Sequence, residues 1–135
     1  MIAASDAIHA ASAVLGLEPG DIVGHCRDHA TRLGRRIAAR LMRDEAGMGL
    51  HEIATALACR SHSTIVRISR SPVDPIVLEH ARTFARRRAR GRRDIGAVWA
   101  QPAVPASWLA ASRQVLERAS RPRGIRRMVR KKVGS

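Results

Sequence analysis

Three groups of residues in this chain have the types and spacing to do chemistry. Cys26-x2-His29 and Cys59-x2-His62 both show a spacing that suits metal ligands. Arg32, Arg36, Arg40 and Arg43 recur at helical intervals, so their guanidinium heads share one helix face and can meet phosphates. Arg60-Ser61-His62-Ser63-Thr64 gathers short donors and acceptors into one run, small enough to let a helix approach base edges. The metal reading is set aside, because a metal on Cys59 and His62 would pin that run to the loop carrying Cys26 and His29. No metal and no cofactor is therefore assigned. The other histidines have no pairing that suggests catalysis and the acidic residues form no close carboxylate pair, so no enzyme is expected. The arginine stripe has a plainer reading as a solvated helix face; its neighbourhood decides for phosphate contact by some of its members.

Charge supports a polyanionic partner. The chain has 135 residues, a formal net charge of +14 and a sequence pI near 11.8. Of its 25 basic residues only Lys131 and Lys132 are lysine. Arginine binds two acceptors at once, which suits phosphate and guanine. Residues 1–85 carry 10 basic and 9 acidic side chains, a net of +1, whereas residues 86–135 carry 15 and 2, a net of +13. Bulk charge thus points to the C-terminal third, where Arg86-Arg87-Arg88, Arg90 and Arg92-Arg93 read as a second phosphate-binding element with steep salt dependence, the plainer alternative being a solubilising end.

Apolar residues make up 45% of the chain but aromatics only 2%, so Ala, Leu, Ile and Val must build the core. Alternating patterns are absent, which favours an all-α fold: a compact helical bundle. Ser5 or Asp6 caps a first helix that ends at Gly16. Pro19 opens a short second helix ending near Gly24, followed by a loop with Arg27, His29 and Arg32. A third helix spans about 32–45, with Leu33, Ile37, Ala38, Leu41 and Met42 inward. A fourth spans about 50–57, with Leu50, Ile53, Ala54 and Leu57 inward. After a tight Ala58-Cys59-Arg60 turn, Ser61 caps a fifth helix over 62–69. Asp74-Pro75 caps and opens a sixth that continues into the arginine run. Gly96, Pro102 and Pro105 mark a linker, and Ser107 caps a last helix to about 119. This gives a domain over 1–93 and a basic linker and tail over 94–135, with a partner-binding helix at 107–119 and Trp99 and Trp108 as candidate anchors. Packing of both tryptophans on the bundle is the equal alternative.

Two short helices joined by a tight turn, the second opened by small polar residues, form the helix-turn-helix pattern. The second helix of such a pair enters the major groove of DNA. Its inward residues are Ile65 and Ile68; Ser63, Arg67 and Arg70 lie on another face. No apolar run reaches membrane-spanning length, and no signal peptide is read at the N-terminus. With two cysteines, no disulfide framework is expected; the expected place is the cytoplasm, associated with the nucleoid.

Residues from about 7 to 70 resemble the C-terminal DNA-binding domain (domain IV) of the bacterial replication initiator DnaA. Arg35-Arg36-Ile37-Ala38, Leu41 and Arg43 resemble that family's basic helix. Leu50-His51-Glu52-Ile53 and Arg60-Ser61-His62-Ser63-Thr64-Ile65 resemble its signature, without gaps. The resemblance implies a bundle whose helix-turn-helix binds duplex DNA. It implies Arg27 in the minor groove, Arg35 and Arg43 on phosphates, and His62 and Thr64 on bases or backbone; Arg36, Arg60, Ser63, Val66 and Arg67 complete the DNA-contacting set. Ser61 departs from the family's aspartate. A carboxylate only accepts and selects a donating base, whereas a hydroxyl reads less strictly, a difference of roughly 1–3 kcal/mol of discrimination. Ala58-Cys59 stands where the family has a glycine pair, and Leu33-Gly34 where it has arginine-proline.

No Gly-x4-Gly-Lys-Ser/Thr loop is present, so no ATPase accompanies the domain. A DnaA-like head without an ATPase resembles the DNA-binding part of activators of gene transfer agents and related phage-derived genes. The resemblance implies a sequence-specific transcription regulator, with a second activator subunit, an architectural DNA-bending protein or RNA polymerase as partner of the tail. The alternatives are a replication modulator that competes for origin sites and a non-specific nucleoid protein.

Overall fold

The computed structural model describes residues 2–23, 28–59, 62–95 and 101–119. Among these residues there are seven helices and no strand: α1 (Ala4–Leu15), α2 (Pro19–Ile22), α3 (His29–Asp44), α4 (Leu50–Ala56), α5 (His62–Arg70), α6 (Pro75–Ile95) and α7 (Ala106–Ala119). The all-helical architecture follows from the apolar periodicity. No helix among the described residues is long and apolar enough to cross a membrane.

α1 is the central element, packed against α3 on one side and α6 on the other. Its buried face is Ala7, Ala10, Ala11 and Val14. Such short side chains let the three helices approach closely, and Ile37, Leu41, Met42, Val77 and Phe84 fill the space between them. Each large side chain so buried contributes roughly 1.5–3 kcal/mol over its exposed state. Gly16 ends α1 in the left-handed conformation (φ +70°), donating its N–H back to the last turn.

Several helix ends differ from the sequence reading. Asp6 is not the cap of α1: it lies inside the first turn, where its carboxylate accepts the Ala3 N–H at 2.8 Å and pairs with Arg88 of α6. Both partners are buried, so this ion pair bolts α1 to α6. α2 stops at Ile22, and Gly24 lies outside the described residues. α3 begins at His29 instead of Arg32, so His29 and Arg32 are helical residues and not loop residues. The side chain of Thr31 donates to the Asp28 carbonyl at 2.8 Å and secures this earlier start. Gly34 faces α2, where an added Cβ would lie 3.0 Å from Ile22; a glycine here permits that close approach.

α6 starts as expected: Asp74 Oδ1 accepts from the N–H groups of Ile76 (3.0 Å) and Val77 (3.3 Å), and Pro75 takes the first helical position. α7 begins one residue before the expected cap Ser107. It packs against α1 and α6 through the very side expected from its spacing, with Trp108, Val115 and Leu116 half-buried against the core. Val104 also packs there. The segment at 101–119 thus covers the bundle.

Candidate nucleic-acid interface

α5 is held by two neighbours, α3 and α4. Ile65 is fully buried, Ile68 is half-buried, and Ser63, Arg67 and Arg70 are exposed, the division its spacing predicts. Val66 is half-buried and Thr64 half-buried at the margin of α3. α4 contributes Ile53 and the residue that follows its last turn, Leu57, both buried. The connection then passes through Ala58 with φ +53°, left-handed backbone that glycine adopts without cost and alanine does not. Sequence alone shows that a tight turn stands here; the strained alanine emerges only from the backbone.

Between α3 and α5 lies an open cleft of about 380 Å³, lined by Arg32, Arg35, Arg36, Thr64, Arg67 and Ile68. Four of the six are arginine and none is acidic. Arg32, Arg36 and Arg67 have no hydrogen-bond or ion-pair partner among the described residues, so their heads are available to an outside acceptor. Arg35 differs. Its Nε donates to the Ile22 carbonyl at 2.9 Å, and its Nη2 is buried without a partner. It ties the start of α3 to the end of α2 and places a fixed positive charge beside the cleft.

The stripe of Arg32, Arg36, Arg40 and Arg43 therefore divides. Its N-terminal half opens onto the cleft. Its C-terminal half is engaged with backbone: Arg40 Nη2 donates to the Ser71 carbonyl at 2.9 Å, and Arg43 Nη1 to the Ser69 carbonyl at 3.1 Å. Arg43 also lies 3.3 Å from its neighbour Asp44. Arg32, left out of the expected contact set, enters the site; its spacing four residues before Arg36 is the signal that could have placed it there.

Within the run 86–93, Arg86, Arg87 and Arg88 are engaged, and the side chains of Arg92 and Arg93 lie outside what the structure describes. Glu45, which follows the last residue of α3, receives both Arg82 and Arg86, each at 2.8 Å, and Arg82 also pairs with Glu79 at 2.6 Å. Arg88 is buried on Asp6 and also donates to Gln101 at 3.2 Å. Arg87 lies 5.9 Å from the Trp108 ring centre, and that ring stacks on His80 at 4.7 Å with 7° between planes. Trp108 is thereby committed to the bundle. Arg90 is exposed and has no partner among the described residues.

Arg27, Arg60, Ser61 and Trp99 lie outside the described residues, as does Cys26, and of His62 only the helical backbone is described. Among the described residues no group of three or more His, Cys, Asp or Glu side chains stands where it could hold a metal ion. Comparison with protein families, with curated proteins and with solved structures finds no match.

Proposed function

We propose that this chain is a sequence-specific reader of double-stranded DNA that acts as a transcription regulator, with α4, the Ala58 turn and α5 as its helix-turn-helix. The observation that carries the proposal is the cleft beside α5, where, among the described residues, no acid lines the walls and the guanidinium heads of Arg32, Arg36 and Arg67 have no partner. Unneutralised like charges at one spot repel one another, and phosphate oxygens relieve that repulsion. The adjoining N-terminal half of α5 carries the short side chains Ser63 and Thr64, which fit a helix entering the major groove. In this reading Ser61, His62, Ser63 and Thr64 meet base edges. Arg32, Arg36 and Arg67 hold the flanking phosphates, and Arg27 reaches the minor groove. Backbone contacts then set the register and base contacts the sequence.

The resemblance to the initiator's DNA-binding domain supports the same assignment, and its departure at Ser61 favours a target other than the initiator's usual box. Activation of gene transfer agent or phage-like genes is the regulatory role it suggests. The test is a genome-wide binding map of the full chain in its native host. Peaks at a small set of promoters support the regulator. Peaks confined to the replication origin would replace it with a competitor of the initiator, and uniform coverage would replace both with a non-specific nucleoid protein.

A further inference from the structure

Three of the last four carbonyls of α5, and the Ser71 carbonyl just beyond it, meet donors among the described residues. The last carbonyls of a helix have no intrahelical donors and must find others. Here the Arg67 carbonyl accepts the Ser71 hydroxyl at 2.7 Å, and the Ile68 carbonyl accepts the Ser71 N–H at 3.2 Å. Arg43 of α3 takes the Ser69 carbonyl, and Arg40 of α3 takes the Ser71 carbonyl just beyond the helix. Two cations thus stand at the negative end of the α5 dipole, where positive charge is favoured. Both come from the same helix whose other end supplies Arg32 and Arg36 to the cleft.

We propose that Arg40 and Arg43 are positioning residues: by clasping the Ser69 carbonyl in the last turn of α5 and the Ser71 carbonyl just beyond it, they fix its direction along α3 and so set Thr64 and Arg67 against Arg32 and Arg36. This assigns Arg43 a different role from the phosphate contact expected from the sequence. The geometry accounts for the choice of arginine. Its head reaches across to a neighbouring helix while several N–H donors stay free to meet carbonyls, and its charge is permanent. With both clasps in place, a rotation of α5 away from α3 breaks two charge-assisted hydrogen bonds at once.

The function of this clasp rests on the DNA-reading proposal, but its existence is tested without DNA. Amide hydrogen exchange of the full chain would be compared for the native protein, Arg43→Gln, Arg40→Gln and Arg43→Lys. Loss of either clasp is expected to speed exchange in the C-terminal half of α5 by roughly tenfold, with α1 and α6 unchanged. The lysine variant keeps a charged donor and should recover most of the protection; it also serves if the glutamine variants fail to fold. In parallel, binding to duplex DNA would be followed against salt. Each true phosphate contact adds about 0.9 to the slope of log K against log salt. Arg36→Gln should lower that slope by about one, whereas Arg43→Gln should leave the slope unchanged and narrow the gap between preferred and random sequences. Unchanged exchange in α5 together with a slope reduced by about one would overturn the proposal and make Arg43 a phosphate ligand. Absence of DNA binding by the native protein would defeat the DNA reading alone, since the exchange comparison still decides whether the clasp exists.

Discussion

Arginine does opposite work on two sides of this molecule. Along α6, Arg82 and Arg86 share Glu45, Arg88 is buried on Asp6, and Arg87 lies over Trp108. At the cleft between α3 and α5, Arg32, Arg36 and Arg67 meet no acid among the described residues. The first region is the denser in arginine and the second is the less neutralised. Charge density along a chain therefore ranks these regions in one order, and unsatisfied charge in space ranks them in the other. The proposed phosphate contact follows the second ranking, because a guanidinium whose charge a carboxylate already offsets gains less from a phosphate than one with no counter-charge.

The contrast can be broken most forcefully at Asp6. Asp6→Ala leaves Arg88 buried without its counter-charge, and loss of one partner of a buried pair costs about 3–5 kcal/mol. Urea unfolding should show that loss as a lower midpoint; a change below about 1 kcal/mol would mean that water or Gln101 compensates Arg88. The cleft should behave in the reverse way. Arg36→Ala combined with Arg67→Ala is expected to weaken duplex binding roughly tenfold or more and to lower the salt slope by about two. The same double variant should shift unfolding stability by no more than about 0.5 kcal/mol, because neither head has a partner to lose. Equal damage to stability and binding would erase the distinction between the two regions.

Glu45→Gln sharpens the comparison by converting one region toward the other. It removes the shared acid from Arg82 and Arg86, and is expected to cost about 1 kcal/mol of stability, given the partial exposure of the three side chains. Arg86 loses its acid while Arg82 keeps Glu79 at 2.6 Å, so binding to random duplex should rise slightly with a steeper salt slope, measured by fluorescence anisotropy. The smallest effect is expected at the turn before α5. Ala58→Gly relieves a left-handed alanine and should stabilise the fold by about 0.5–1 kcal/mol with duplex binding retained.

Much of the architecture was legible in the chain because local signals act locally. Gly16, Pro19 and Asp74-Pro75 each set a helix boundary through their own backbone preferences, and the structure places all three where those preferences put them. The inward and outward faces of α5 followed from its period. What stayed hidden depends on neighbours distant in sequence. Asp6 resembles a helix cap until Arg88, 82 residues away, claims its carboxylate. Arg36 and Arg43 are identical in type and stripe, and only the approach of Ser69 separates a free head from an engaged one. Trp108 read equally well as a partner anchor or as packing until His80 appeared beneath it.

The central claim, that α5 and its flanking arginines read duplex DNA in a sequence-dependent way, is tested most directly by selection and competition. The full chain would be used to enrich binding sites from random duplexes. Its affinity for the enriched sequence would then be compared with that for a scrambled duplex at physiological salt, with the Ser63→Ala, Thr64→Ala variant in parallel. The account predicts that the native chain prefers the enriched sequence by about 10³-fold or more, and that most of this ratio is lost in the variant while binding to scrambled duplex is unchanged. Equal affinity of the native chain for both duplexes would contradict it.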